Sequence, residues 1–285
     1  MNLFNIIQDL EQVDPEFHEK LNPRRAAIKN ITSFGSKVTL AALPFALGTM
    51  FKRAEAATTT EAIAVLNFAL LLEHLEAKFY TEATSTARIA LIPVGTPAVA
   101  AIRKIRDDEN AHVAFLTNAI TAAGGTPINR TFSNFDYTAG GTFNDVFTNY
   151  DTFLAVAQAF EDTGVRAYKG QAPALKGERI YLTAALNIHS VEARHASHIR
   201  QMRRARGGAA ANMKPYITGA NDSGVNIAAV DKVYAGEDKT IQAGVTITNL
   251  NGVGGKISTA AATESFDEFL TKAQVEAVVA PFIRP

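Results

Sequence analysis

The chain has no cysteine among its 285 residues. That excludes thiol catalysis and disulfide bonds, and it leaves the compartment open, because a cysteine-free protein is indifferent to redox poise. Net charge is missing as well: 28 Lys plus Arg balance 28 Asp plus Glu. No overall field draws the protein to nucleic acid or to a membrane surface. Long hydrophobic runs are also absent. The apolar stretch at residues 38–50 is too short for a comfortable membrane span. The composition is that of a soluble globular protein with room for one large core and appendages, or for two small domains.

Against these absences stand four carboxylates in helical surroundings. They are Glu73, then Glu109-Asn110-Ala111-His112, then Glu161, then Glu192-Ala193-Arg194-His195. Positions i and i+3 of an α-helix share a face, so each Glu-x-x-His can aim an oxygen and an imidazole nitrogen at one point. Two such pairs and two single glutamates form the ligand set for two transition-metal ions in a helix bundle. A lone Glu-x-x-His carries little information; the ordered set carries much more. The order, Glu then Glu-x-x-His, twice over, reads as a duplicated helical hairpin. Tyr80 and Tyr168 each follow a glutamate of the set, Glu73 and Glu161, by nearly two turns and return to its face.

These residues carry a resemblance. Leu66-Asn-Phe-Ala-Leu-Leu-Leu-Glu73, Asp108-Glu-Asn-Ala-His-Val-Ala-Phe-Leu116 and Val191-Glu-Ala-Arg-His195 resemble the ferritin-like superfamily, in particular its extracytoplasmic members related to plant desiccation-related proteins. The resemblance covers residues 57–206 and implies a mainly α fold, a ferritin-like four-helix bundle with a long crossover between its second and third helices. It implies that Glu109 and Glu192 bridge two metals, that Glu73 and Glu161 are terminal ligands, and that His112 and His195 complete one metal each. It also implies that such a pair binds O2 or peroxide and takes up electrons. The missing cysteines rule out the cysteine-bound iron domain that rubrerythrins add to this bundle.

Charge and donor type point the same way. Four carboxylates bring about four negative charges into a low-dielectric core, where without metal some would have to take up protons. Two divalent ions neutralise them. Mixed carboxylate and imidazole donors suit Fe or Mn, and six donors for two ions exceed the tetrahedral habit of zinc.

Helix punctuation organises the rest. Thr58-Thr59-Thr60 with Glu61 offers N-caps for a first helix running to about residue 87. Thr96-Pro97 opens a second, which Gly124-Gly125 stops. Residues 126–142 lack helical periodicity and have the length of the crossover. A third helix is expected over about 143–169 and a fourth over about 173–206, joined at Gln171-Ala-Pro173. Residues 207–285 form an irregular extension with minor β structure. Residues 240–248 have strand character, Gly252-Val-Gly-Gly255 reads as loop, and Thr271-Lys-Ala-Gln274 is a capping box for a short last helix bearing Val275, Val278 and Val279. The extension is expected to wrap the bundle; the alternative is an oligomerisation element of a homo-oligomer.

Residues 1–56 supply the localisation argument. Arg24-Arg25-Ala-Ala-Ile28-Lys29 resembles a twin-arginine (Tat) export motif, and Ala54-Glu55-Ala56 offers small residues for signal-peptidase cleavage. That reading makes the protein exported, periplasmic or extracytoplasmic. Lys37, Lys52-Arg53 and the amphipathic pattern of Leu3, Ile6, Ile7, Leu10 and Val13 fit instead a retained helical arm in a cytoplasmic protein.

Several neighbours of the set have two readings. Tyr80 and Tyr168 are either core residues or orient a ligand glutamate. Glu76 is an alternate ligand one turn from Glu73, although its surroundings fit an exposed face better. His74 points about 100° away. His189 and His198 are either partners of the ligands and a path to solvent, or solvated. Asp107, Asp108, Asp162 and Arg194 are expected in salt bridges or behind a ligand. Two functional classes result. One is a redox protein that oxidises Fe(II) or consumes O2 or peroxide in stress protection. The other is a structural, desiccation-related bundle whose metal, if any, only holds it together.

Overall fold

The computed structural model describes residues 59–93 and 95–284. The expected export motif, apolar stretch and amphipathic first helix lie outside the described residues. Among the described residues no helix is long and apolar enough to cross a membrane.

Four long helices dominate: α1 (Thr60–Ala83), α2 (Pro97–Ala122), α3 (Tyr150–Gln171) and α4 (Arg179–Arg206). The Thr59 hydroxyl caps α1 by accepting from Ala62 N at 3.1 Å. The helix stops at Ala83, a turn sooner than expected, and the Thr84 hydroxyl bonds back to the Tyr80 carbonyl at 2.7 Å. α2 begins at Pro97 as expected. α1 and α2 are antiparallel: Arg106 of α2 meets Thr84, and Thr126 beyond the end of α2 accepts from Asn67. α3 and α4 pair likewise, with Arg206 at the end of α4 bonded to Asp151 at the start of α3.

The helices differ in how much they bury. α2 and α4 hide one stripe at helical spacing, such as Ile102, Ile105, Glu109 and Leu116 on α2. α1 and α3 have scarcely any wet face. Every residue of α3 from Val156 to Tyr168 is buried. A helix apolar all round belongs inside a larger assembly, and here α2, α4 and the residues after 207 supply the cover.

Two helix starts differ from the sequence reading. α3 opens at Tyr150, not near residue 143, because the Asn149 side chain accepts from Asp151 N and Thr152 N and forms the true cap. The preceding residues are turns in which Asp136 accepts from Thr138 N and Gly140 N. The crossover thereby extends to residue 149. α4 opens at Arg179, not at Pro173. Pro173 starts only the 3-10 turn Ala172–Leu175, after which Lys176 and Gly177 turn the chain. The Glu178 carboxylate then accepts from Thr59 N at 3.0 Å, tying the start of α4 to that of α1.

The extension contributes three short helices, α5 (Ala228–Asp231), α6 (Thr259–Glu264) and α7 (Lys272–Val279), and two hairpins of two-residue strands. β1 (Ile241–Gln242) pairs with β2 (Val245–Thr246), within the stretch of strand character. The expected loop Gly252-Val-Gly-Gly255 is itself the turn of the second hairpin, β3 (Asn251–Gly252) with β4 (Gly255–Lys256), and Gly254 supplies a φ of 88° there. The capping box at Thr271 forms as expected.

Val275, Val278, Val279 and Phe282 join one apolar core with the bundle residues Phe79, Tyr80, Phe153 and Phe160. Phe79 stacks on Phe153 at 4.8 Å, and Phe282 meets Phe160 edge-on at 4.9 Å. Buried arginines add polar anchors. Arg166 is wholly buried and donates to the carbonyls of Val233, Ala235 and Glu268, with the Glu237 carboxylate 2.9 Å away. Arg200 pairs with Asp162 of α3 and Asp222 of the extension.

The contact at the end of α3 is close enough to test. Leu270 N donates to the Arg166 carbonyl, and a Cβ at Gly170 would lie well inside van der Waals contact of the Leu270 carbonyl oxygen. Backbone cannot swing aside as a side chain can. Gly170→Ala is therefore expected to lift residues 267–271 and to lower the urea midpoint by a loss of about 1–3 kcal/mol. Gly177→Ala, which meets nothing within 4 Å, serves as the neutral control.

Candidate metal centre

The four long helices converge on one buried point. Glu73 comes from α1, Glu109 and His112 from α2, Glu161 from α3, Glu192 and His195 from α4. All four carboxylates are fully buried. They form two overlapping groups: Glu73, Glu109, His112 and Glu192, and Glu109, Glu161, Glu192 and His195. Within each group one donor atom per residue lies within 4.8 Å of all the others. Glu109 and Glu192 belong to both groups.

Each imidazole turns Nδ1 inward. His112 Nδ1 is 3.0 Å from Glu73, 3.2 Å from Glu109 and 3.3 Å from Glu192. His195 Nδ1 is 2.7 Å from Glu109 and 3.3 Å from Glu161. Yet Glu109 Oε1, Glu161 Oε2, both Glu192 oxygens and His195 Nδ1 have no hydrogen bond of good geometry, although they are buried. Buried polar atoms are rarely left so. Buried donor atoms left without a well-formed hydrogen bond around a common point fit a pair of cations, and carboxylate with imidazole is a donor set for Fe or Mn.

The tyrosines hydrogen-bond two of these glutamates, but across the bundle. Tyr80 of α1 donates to Glu161 Oε1 of α3, and Tyr168 of α3 donates to Glu73 Oε1 of α1. Each therefore serves the glutamate of the opposite hairpin, not the one on its own helix face. Asp108 stands behind a member of the donor groups too: His195 Nε2 donates to Asp108 Oδ2 at 3.2 Å.

Other expectations are corrected. Glu76 is buried beside the cluster, not on an exposed face, because α1 has almost no such face. It belongs to neither donor group. His198 is exposed, and His189 is bonded through Nδ1 to the Val165 carbonyl at 2.9 Å, away from the donor groups. His74 turns away, as expected, to the Ile128 carbonyl. Asp107 pairs with Arg106 at the surface, and Arg194 is exposed. Asp162 is buried between Arg200 and Tyr234, facing the extension.

One contributor escaped the sequence reading. Gly164 lies one turn past Glu161, and a Cβ there would stand 3.0 Å from Glu192 Oε2 and 3.4 Å from Glu76 Oε1. Its bare backbone clears the space those carboxylates fill. A glycine inside a helix costs about 1 kcal/mol, and that anomaly was the available signal.

Burial and crowding set the protonation. Burial pushes the Glu109 carboxyl up to about 7 against the pull of His112 and His195, and drives Glu192 and Glu76 well above the ordinary carboxylate range. Burial works against a charged His195 as well, but Glu161, Asp108 and Glu109 overcome it and raise the imidazole to about 12. At these groups the metal-free fold thus holds more protons than the unfolded chain. For Glu109 that difference opens above pH 4.5, and for His195 above pH 6.5, so both make the metal-free protein less stable as pH rises from 5 to 8. Its Tm is expected to fall by several degrees across that range, each kcal/mol being worth about 2–4 °C. Ions that displace these protons bind better at high pH. The gap between loaded and metal-free Tm should widen with pH, and a calorimetric series checks both trends.

A cavity of about 20 Å³ reaches Tyr168, lined by apolar side chains such as Leu66, Phe68, Leu72, Leu116 and Ala185. That is room for about one small molecule.

A search among curated proteins finds no match for the chain. The family described as ferritin-like domain matches residues 61–205. That span begins in the first turn of α1, ends in the last turn of α4 and includes every residue of the two donor groups; the chain belongs to the ferritin-like domain family.

Proposed function

We propose that the protein binds two Fe or Mn ions and uses them to consume O2 or peroxide, as an oxidase or as a ferroxidase acting on Fe(II). The observation that carries this reading is that Glu109 and Glu192 belong to both donor groups, and that Glu109 Oε1 and both Glu192 oxygens have no hydrogen bond of good geometry. Such shared carboxylates would hold two ions close enough to act on one small molecule. Bound there, the ions would supply electrons one from each.

The residues of the chain do the rest. Glu73 and His112 would complete one ion's surroundings, Glu161 and His195 the other's. Tyr80 and Tyr168 fix the terminal carboxylates by donating to the oxygen turned away from the donor group. The helices and the extension exclude bulk water. The apolar cavity beside Tyr168 suits O2 better than a hydrated cation. With the twin-arginine-like leader, this activity belongs outside the cytoplasm, as protection against oxidative stress.

A second reading has its own observation. The four carboxylates have no exposed surface at all, and ions so enclosed would serve as a structural clamp in a desiccation-related bundle. Purification without chelator, followed by elemental analysis and oxygen uptake on adding Fe(II), separates the two. About two Fe or Mn per chain with oxygen uptake supports the redox reading. Two ions without uptake of O2 or loss of added peroxide leaves the clamp. Protein that is folded but binds neither metal on reconstitution excludes the redox reading and the clamp, and leaves a structural bundle without metal.

A further inference from the structure

The two hairpins match position for position: Glu73 with Glu161, Tyr80 with Tyr168, Glu109 with Glu192, His112 with His195. They part at the residue before each shared glutamate, which is Asp108 in α2 and Val191 in α4. Asp108 reaches across to α4, where its Oδ2 accepts from His195 Nε2 at 3.2 Å, and Lys104 braces the same carboxylate from the solvent side. Val191 has no acceptor to offer His112. Among the described residues His112 Nε2 makes no hydrogen bond, and the side chain is 12% exposed.

We infer that the two metal positions are unequal and that the one at His195 is the tighter, with Asp108 as the positioning residue that makes it so. The inference rests on the dinuclear reading above. A carboxylate on Nε2 places the proton there, leaves the lone pair on Nδ1, fixes the ring and raises its donor strength. Such partners are worth about 10–100-fold in metal affinity. His112 has the same inward Nδ1, held near Glu73, Glu109 and Glu192, but no carboxylate on Nε2 to place its proton and raise its donor strength. The centre therefore fills at His195 first and empties there last.

The experiment loads the full chain with Mn(II) and follows metal retention against a graded series of chelator concentrations. Wild type is expected to release its ions in two steps separated by about 10–100-fold. Charge repulsion alone would also separate the steps, so two variants decide. Asp108→Ala should weaken the tight ion by that factor and leave the other, merging the steps. Val191→Asp, which gives His112 the missing partner, should tighten the weak ion and narrow the gap from the other side. Circular dichroism confirms that each variant is folded, and Val191→Asp keeps the test alive if Asp108→Ala is not.

A site-specific readout comes from protein carrying one equivalent of Co(II). Its NMR spectrum should show one exchange-protected, hyperfine-shifted imidazole N–H, absent in Asp108→Ala. Release of both ions in a single step from wild type overturns the inference, as does equal weakening of both ions in Asp108→Ala, while the dinuclear reading survives. A wild-type chain that takes up no Mn(II) or Co(II) overturns both.

Discussion

Glu109→Ala is expected to leave the protein with neither metal, whereas Glu73→Ala is expected to leave one. Glu109 is fully buried and stands in both donor groups, while Glu73 stands in one. Removing a shared carboxylate takes a donor from each position and about one negative charge from between two cations, so their repulsion grows as their ligands shrink. Removing a terminal carboxylate spares the position built from Glu109, Glu161, Glu192 and His195. Metal content per chain after gel filtration reads the difference directly, from about two to none against about two to one. The metal-free Glu109→Ala protein should still fold and should lose less stability with rising pH than wild type, because a group pushed up to about 7 is gone. Retention of two ions by Glu109→Ala would sink the sharing of this carboxylate.

Arg166→Ala should unfold the molecule more easily than any other change at the seam between bundle and extension. The guanidinium is wholly buried and meets three carbonyls, Val233, Ala235 and Glu268, together with the Glu237 carboxylate. Alanine leaves those carbonyls without the guanidinium and leaves Glu237, one of whose oxygens already lacks a partner, buried with only the Glu268 N–H. Breaking a buried pair on one side costs about 3–5 kcal/mol. Urea denaturation measures the loss, and limited proteolysis should show new cuts between residues 230 and 268. Replacing both partners, Arg166→Met with Glu237→Leu, should recover much of the stability, since apolar residues of similar volume can substitute for a buried ion pair. A loss under about 1 kcal/mol in Arg166→Ala would mean that the apolar contacts of Val275, Val279 and Phe282 hold the extension unaided.

The six donors were legible because i to i+3 spacing is a local rule, true of any helix wherever it lies in the fold. The tyrosines were half legible. Spacing returns Tyr80 to the face of Glu73, but a long side chain on that face points across the interface, and Glu161 is what it meets there. Glu76 was misplaced because a helix-face argument supposes one wet side, and α1 is covered nearly all round. The starts of α3 and α4 were misread for a different reason. Asn149 outcompetes the turn residues before it as a cap, and a proline at residue 173 can begin a 3-10 turn as readily as an α-helix. The roles of Arg166 and Arg200 were beyond local reasoning altogether. Their partners lie far along the chain, and several are backbone carbonyls, which carry no sequence signature.

The exchanged tyrosines have a consequence for how such a chain could arise. Each hairpin holds the ligand of the other in place, so one hairpin alone is half of a device. Set against an identical copy about a two-fold axis, it would complete both terminal carboxylates and both shared ones at once, in a symmetric ancestor whose centre lay on the axis. Fusing the copies keeps the axis inside a single polypeptide and frees the halves to diverge. Asp108 at the position matching Val191, and Glu76 at that matching Gly164, are differences between the halves that a homodimer could not carry on one side only.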